Sequence, residues 1–280
     1  MVAARNVQRR AVRAGGIETS YLEAGPASAE AVVLLHDGAI GSDAESCWSG
    51  FLGKLSGRYR VLAPDLIGHG ATRKIVAFDR DPMTQRIDHV RDFCDALLLD
   101  TPLLVGSSFG GGMILRGAAS GTLRMRAGVS IGGTGGLHMH AEKFAVLQRY
   151  QPTEQWARTV CELMARRDLP RRTADRLARS KLPGHVESLA AARVLRPVEP
   201  VDAPDWRPAF LKALHRIEVP ILLVAGADDV LFEAGWADRL AERIPRGRAV
   251  TLAGTRHQPH IDEPTAVANL VLDFIEGVLR

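Results

Sequence analysis

Six continuous apolar runs, most of them closing on a glycine or a polar residue, constrain this chain more than any other feature. They are Val32–His36, Tyr59–Pro64, Leu103–Gly106, Gly128–Gly132, Ile221–Gly226 and Ala249–Leu252. Short runs without polar alternation predict strands covered on both faces, as in a parallel sheet flanked by helices. Segments of helical period lie between most of them, so the chain reads as α/β. Two earlier stretches, Gln8–Arg13 and Ile17–Glu23, are joined by Gly15-Gly16 and predict an antiparallel pair, making eight strands. The strand rhythm stops between about Thr134 and Arg216, where helical patterns are broken by Pro152, Pro170, Pro183-Gly184 and a proline-rich stretch from Pro197 to Pro208. The expectation is a core domain from residues 1–133 and 217–280, with residues 134–216 inserted as a helical cap between the sixth and seventh strands. Pro264–Arg280 places Val267, Leu270, Val271, Phe274, Ile275 and Val278 at helical spacing, which predicts a packing helix.

Composition narrows the partners. With 280 residues, 46% hydrophobic and 24% charged, the chain supports a buried core and is not a disordered one. No apolar run reaches the roughly 18–20 residues of a membrane helix. The basic stretch Met1–Arg13 lacks the apolar centre of a secretory signal. A net charge of +4 is too small to argue for nucleic acid. Cys47, Cys94 and Cys161 are odd in number and lack metal-ligand spacing. We therefore expect a cytoplasmic protein with reduced thiols and a small-molecule substrate, acting on neither nucleic acid nor membrane, with homo-oligomerisation left open.

The chemistry concentrates at strand ends. Gly106-Ser107-Ser108-Phe109-Gly110 follows Leu103-Leu104-Val105 directly, a Gly-x-Ser-x-Gly pattern at a strand-to-helix turn. A tight turn exposes the Ser108 hydroxyl, and small residues two positions away let strand and helix approach. The same turn leaves the Phe109 N–H at a helix N-terminus, where it can donate to a developing oxyanion. A five-residue match also fits a glycine turn whose serine merely caps the helix; the rest of the chain has to decide. Serine needs a base, and the base needs a carboxylate. Ile221–Gly226 leads into Ala227-Asp228-Asp229, and Ala249–Leu252 leads into Gly254-Thr255-Arg256-His257. Ser108, Asp229 and His257 thus follow one another in the order Ser, acid, His. Asp228 is the rival acid, read as a turn cap, and His260 the rival base, read as a surface or helix-capping histidine. The loop His36-Asp37-Gly38-Ala39-Ile40-Gly41 offers Gly38 or Ala39 as a second oxyanion donor, with His36 as a hydrogen-bonded interior histidine in the structural reading.

With these residues assembled, the sequence resembles the α/β-hydrolase superfamily over nearly its whole length. The stretches that carry the likeness are Val32–Gly41, Val61–Gly70, Val105–Gly112, Leu222–Asp229 and Gly254–Pro264. The resemblance implies an α/β-hydrolase fold with a mostly parallel eight-stranded sheet. Within the superfamily, the loop His36–Trp48, the Ser-Phe-Gly-Gly-Gly of the turn and Gly132–Gly136 look like the meta-cleavage-product hydrolases, which cut carbon–carbon bonds. That likeness implies a cap arginine gripping a substrate carboxylate, a place for Arg176 or Arg179. It also marks Ser107 and Gln258 as substrate-binding positions, where those enzymes often carry asparagine and tryptophan. Asp37 replaces a glycine of the usual loop. Carbon–carbon cleavage and ester or lactone hydrolysis both stay open. Met139, Phe144, Leu147, Trp156, Val160, Leu163 and Met164 are candidates for an apolar pocket or for plain cap core.

The expected enzyme is a serine hydrolase with the triad Ser108, His257 and Asp229 and with no metal and no cofactor. No phosphate-binding Walker loop or dinucleotide fingerprint is evident, and Gly132–Gly136 lacks the spacing for one. Two other classes remain: a small-molecule binding protein on the same scaffold, and a cofactor-free lyase or oxygenase, for which a cap lysine (Lys143, Lys181 or Lys212) would have to reach the serine.

Overall fold

A computed structural model describes residues 7–78, 80–194 and 205–280. Most of the proline-rich stretch, residues 197–204, lies outside them. Eight strands form one sheet: β1 (Gln8–Ala14), β2 (Ile17–Ala24), β3 (Ala31–Leu35), β4 (Arg60–Pro64), β5 (Leu103–Ser107), β6 (Ala127–Ile131), β7 (Ile221–Gly226) and β8 (Gly247–Leu252). Their order is β1-β2-β4-β3-β5-β6-β7-β8. β1 pairs antiparallel with β2 and β2 antiparallel with β4, and every later pairing is parallel. From β3 the chain crosses to β4 on one side and then to β5 on the other. The carboxyl ends of β3 and β5 therefore flank the crevice where open α/β sheets bind ligands.

Strand alternation sorts the core into two layers. Val33 and Leu35 of β3 face one cluster with Leu62, Leu104, Met113 and Leu223. Val32 and Leu34 face the other with Val61, Val105, Val129 and Val224. The first layer is covered by α2 (Pro82–Ala96), α3 (Phe109–Ala119) and α9 (Trp236–Ala241), the second by α1 (Ala44–Leu55) and α11 (Pro264–Leu279). In α11, Val267, Val271, Phe274 and Ile275 are buried while Leu270 and Val278 pack at the rim. The expectation of strands buried on both faces fails at β8, which alternates between exposed and half-buried because it is the sheet edge.

Between β6 and β7 the chain forms α4 (Ala141–Gln148), α5 (Glu154–Met164), α6 (Leu169–Ser180), α7 (His185–Val194) and α8 (Arg207–Ala213). α5 begins where Thr153 caps the Trp156 amide at 3.2 Å, and it buries Trp156, Val160 and Met164 against Leu147 and Leu231. Among the described residues no helix is long and apolar enough to cross a membrane. The thiols of Cys47, Cys94 and Cys161 are free and buried.

Four buried histidines tie these layers together. His36 bridges two loops, its Nδ1 bonding the Asp37 carbonyl at 2.6 Å and its Nε2 accepting the Leu66 amide at 2.9 Å. The His69 ring contacts His36 and His185 edge to face, at 4.9 and 5.3 Å between centroids. His89 meets Thr19 at 2.7 Å. Burial holds His69 well below the ordinary histidine value, lowers His185, and brings His89 to about 4. Each of these three takes up a proton more readily once unfolded, so stability falls as pH drops below about 6.5. His89 alone accounts for roughly 3 kcal/mol, lost between pH 6.5 and 4. Urea unfolding at pH 7.5, 6 and 4.5 should show this decline, and His89→Asn should make it shallower; a flat profile would contradict the burial argument.

Candidate active site

At the end of β5 the chain turns so sharply that Ser108 adopts φ +52° and ψ −111°, a left-handed backbone for a side-chain-bearing residue. Such a conformation costs of order 1–3 kcal/mol and persists only where its surroundings impose it. Here the Ser108 amide donates to the Ile131 carbonyl at 2.7 Å, and its own carbonyl accepts the Gly112 amide at 2.9 Å. The glycines around it are steric requirements. A Cβ on Gly106 would overlap the Gly110 backbone, one on Gly110 the Leu35 carbonyl, and one on Gly111 the Ser130 hydroxyl. The turn is thereby wedged between the ends of β3 and β6.

The loop after β8 brings in the imidazole. Thr255 Oγ1 donates to the Leu252 carbonyl at 2.9 Å, and Asp262 Oδ2 accepts the Arg256 amide at 2.8 Å. Gly226 allows close passage, since a Cβ there would overlap the Arg256 carbonyl. His257 is fully buried, with Nε2 at 2.8 Å from Ser108 Oγ and Nδ1 at 2.8 Å from Asp229 Oδ2. The other Asp229 oxygen accepts the Leu231 amide at 2.8 Å, which fixes the carboxylate. If Asp229 accepts from Nδ1–H, Nε2 is free to take the serine proton. Asp228 instead pairs with Arg166 at 2.8 Å, reaching the cap. His260 is neither on the surface nor a cap: it is buried against Trp48 and Phe51, and burial lowers its pKa to about 3.

The loop after β3 is organised by Asp37. One of its oxygens accepts the Ala39 amide at 3.0 Å; the other accepts Ser42 Oγ at 2.8 Å and Gln258 Nε2 at 3.0 Å. Burial alone would raise this carboxyl's pKa. The charge of Arg176, the field of His36 and the bonds from Ser42 and Ala39 outweigh burial and hold it below the usual carboxylate range. The Ala39 amide is therefore spent on Asp37. The Gly38 amide has no hydrogen-bond partner among the described residues, and Gly38 packs so tightly on Phe109 that a Cβ would press against its ring. The Phe109 amide, first in α3, is outside the helix ladder. Of the two expected donors in this loop, Gly38 is left available beside Phe109 and Ala39 is not.

A cavity of about 400 Å³ opens over Ser108, with Gly38, Ala39, Ile40 and Phe109 on the core side and Phe144, Leu147, Met164 and Leu189 on the cap side. Five expected contact residues lie outside it. Ser107 is fully buried at the strand end, beside Cys47, because successive strand residues point to opposite faces. Trp156 belongs to the cap interior, edge to face with Tyr150. Arg176 is buried behind the Asp37 loop, donating to the Ile40 carbonyl at 2.7 Å, and Arg179 pairs with Asp43 at 2.7 Å. Gln258 is used by Asp37 and by Arg172, which donates to its Oε1 at 3.2 Å. Lys143, Lys181 and Lys212 do not line the cavity either. Among the lining residues that sequence reasoning missed are His69 and Arg86. Arg86 is the only charged side chain among the described lining residues; it donates to the Pro82 carbonyl at 2.9 Å and lies 5.7 Å from the Phe109 ring centre. Gly132–Gly136 is close packing, since a Cβ at Gly132 would overlap the His257 carbonyl and one at Gly135 the Phe210 ring.

A parallel sheet with this crossing, a serine on a strained turn after β5 and a histidine loop after β8 together define an α/β-type hydrolase. The chain belongs to the alpha/beta hydrolase family, whose model matches residues 32–270. It is 26% identical to 2-hydroxy-6-oxo-6-(2'-aminophenyl)hexa-2,4-dienoic acid hydrolase of Metapseudomonas resinovorans, over 95% of this chain and 90% of that one. It is 28% identical to 2-hydroxy-6-oxo-2,4-heptadienoate hydrolase of Pseudomonas putida, over 95% of each. Its fold matches the solved meta-cleavage product hydrolase of Pseudomonas fluorescens IP01 with a TM-score of 0.82 at 23% identity, over 96% of this chain and 97% of that one. Gly110→Ala tests the steric account of the turn. Overpacking against Leu35 should cost about 1–3 kcal/mol in thermal unfolding and displace Ser108; unchanged stability would refute the wedge.

Proposed function

We propose that this protein is a serine hydrolase in which Ser108 attacks the carbonyl of a small, largely apolar substrate. The observation that carries the reading is the pair of 2.8 Å contacts that link Ser108, which lines the cavity, to His257 and His257 to Asp229. His257 accepts the Ser108 proton as the new C–O bond forms, and Asp229 keeps the resulting imidazolium oriented. The Gly38 and Phe109 amides receive the oxyanion, each worth roughly 3–4 kcal/mol of transition-state stabilisation. His257 then protonates the leaving group and later deprotonates the water that releases the acid.

Carbon–carbon hydrolysis is the first reading of the substrate. The named relatives act on 2-hydroxy-6-oxo dienoates. Such a substrate must first ketonise, so that the departing carbon leaves as a stabilised carbanion and takes up a proton; water then yields the carboxylic acid. A mostly apolar cavity in which Arg86 is the one cation among the described lining residues suits an acid with one anionic end. Ester hydrolysis is favoured by a different observation. Arg176 and Arg179, the positions implied for a carboxylate grip, are engaged with the Ile40 carbonyl and with Asp43.

Ser108→Ala should lower p-nitrophenyl ester turnover by at least about 10³-fold and abolish fluorophosphonate labelling while leaving the melting temperature in place. Residual wild-type turnover would remove Ser108 from the nucleophile role. Arg86→Gln should raise KM for a 2-hydroxy-6-oxo dienoate about tenfold relative to its effect on a neutral ester. Equal effects on both substrates would argue for the ester reading.

A further inference from the structure

The Gly38 amide can receive an oxyanion only while the loop that carries it stays in place, and that loop is neither helix nor strand. Part of its order is internal. Asp37 takes the Ala39 amide at 3.0 Å, and the Ala39 carbonyl accepts the Ser42 amide at 3.0 Å. Gly41 then adopts φ +78°, and a Cβ there would overlap the Arg176 carbonyl. A further hold comes from the cap. His185 Nε2 accepts the Gly41 amide at 2.8 Å, while Nδ1 donates to the Gly68 carbonyl at 2.8 Å in the loop after β4.

These two partners settle the tautomer. A backbone amide can only donate and a carbonyl can only accept, so the proton is on Nδ1 and the ring is neutral. Burial lowers the His185 pKa, which favours the same form. Both ring nitrogens are thus used, whereas His260 on α10 (Pro259–Asp262) leaves Nδ1 without a partner among the described residues. His185 reaches this place through a turn that sequence reading took only as a helix break. Gly184 adopts φ +72°, and His185 opens α7 with its amide on the Leu182 carbonyl at 3.1 Å.

His36 repeats the arrangement on the other side of Gly38. It bonds the Asp37 carbonyl through Nδ1 and the Leu66 amide through Nε2, and the His69 ring fills the space between His36 and His185. The loops after β3 and β4 are therefore strapped twice, by a core histidine before Gly38 and by a cap histidine after it. Lys74 stiffens the second loop, donating to the Gly70 carbonyl at 2.7 Å and the Thr72 carbonyl at 2.9 Å.

We propose that His185 is a positioning residue for the reaction, a cap side chain that holds the Gly38 amide where the oxyanion forms; this rests on the serine-hydrolase reading above. It touches no reacting atom. Its loss displaces a donor and leaves the nucleophile in place, so the effect falls on the transition state. A cap that merely loosened would act differently. α7 also supplies Val186 and Leu189 to the cavity wall, so general loosening would weaken substrate binding.

Side-chain length separates the two bonds. His185→Asn keeps a donor near the Nδ1 position for Gly68 and loses the acceptor for Gly41, whereas His185→Gln puts an oxygen near the Nε2 position. His185→Asn should lower kcat for a p-nitrophenyl ester about 10–100-fold with KM little changed. It should weaken a trifluoromethyl ketone, which forms the oxyanion on Ser108, by the same factor. His185→Gln should keep both near wild type. Equal kcat in the two variants, or a loss carried by KM alone, would overturn the proposal. Spectra of protein labelled with 15N-glycine give a second readout, in which the Gly38 and Gly41 amides should move in His185→Asn and hold in His185→Gln. Should His185→Asn fail to fold, His185→Gln decides: wild-type kcat with Gly38 unshifted supports the role, and lost kcat or a shifted Gly38 refutes it. If the wild-type protein neither turns over ester nor takes up a fluorophosphonate, the hydrolase reading fails, and the same spectra still decide whether His185 sets Gly38.

Discussion

The closeness of the β5–α3 turn to the strand ends beside it is the constraint on which the rest of the site depends. Ser108 is held at an unfavourable backbone angle by one bond to Ile131 and one from Gly112, with no side chain at 106, 110 or 111 to push it outward. Because the turn is seated this deeply, its first helical amide lies next to Gly38 and its hydroxyl reaches His257. The strain is local, and the surrounding sheet, with two filled hydrophobic layers, is rigid enough to sustain it.

Asp37 is the second organising group, and its consequences run in several directions. A buried carboxylate at the head of the loop needs partners, and it takes them from Ala39, Ser42 and Gln258. Consuming the Ala39 amide leaves Gly38 to point elsewhere. Engaging Gln258 draws the position after His257 away from the cavity. The nearby Arg176 charge stabilises the carboxylate and is kept behind the loop in return. One acidic residue in place of a glycine thus relocates three groups expected around the substrate, and the cavity's cation comes instead from Arg86 on α2.

The sheet, its order of chemistry-bearing loops and the His257–Asp229 pairing were legible because they follow from periodicity and chain order, which are local properties of sequence. The contact residues were less so. Whether Trp156 faces the cavity or the cap interior depends on how α5 rotates against α4, and helical spacing alone does not set that rotation. Ser107 was misread because its neighbour is the nucleophile, yet strand alternation, visible in sequence, already sends it to the opposite face. Arg86 carried no signal of its own. It sits in an ordinary amphipathic helix whose first turn happens to border the crevice. His260 looked like a surface residue because the packing of α1 onto α10 is not encoded nearby in the chain.

The cap is wired into the same two loops that present the reacting groups. His185 accepts the Gly41 amide at 2.8 Å and bonds the Gly68 carbonyl at 2.8 Å, so α7 holds the loop after β3 to the loop after β4. Arg176 of α6 supports Ile40, and the Arg166 amide donates to Asp262, whose other oxygen positions the His257 loop. The Gln258 amide donates to the Met164 carbonyl at the end of α5. A cap joined to its core only by apolar contact could slide without disturbing the chemistry. Here displacement of α6 or α7 must break bonds to the backbone of Ile40 and Gly41, just beyond Gly38, and displacement of the α5–α6 connection must loosen His257. Pocket shape and alignment of the reacting groups are therefore one mechanical property, and substitutions in the cap act on both.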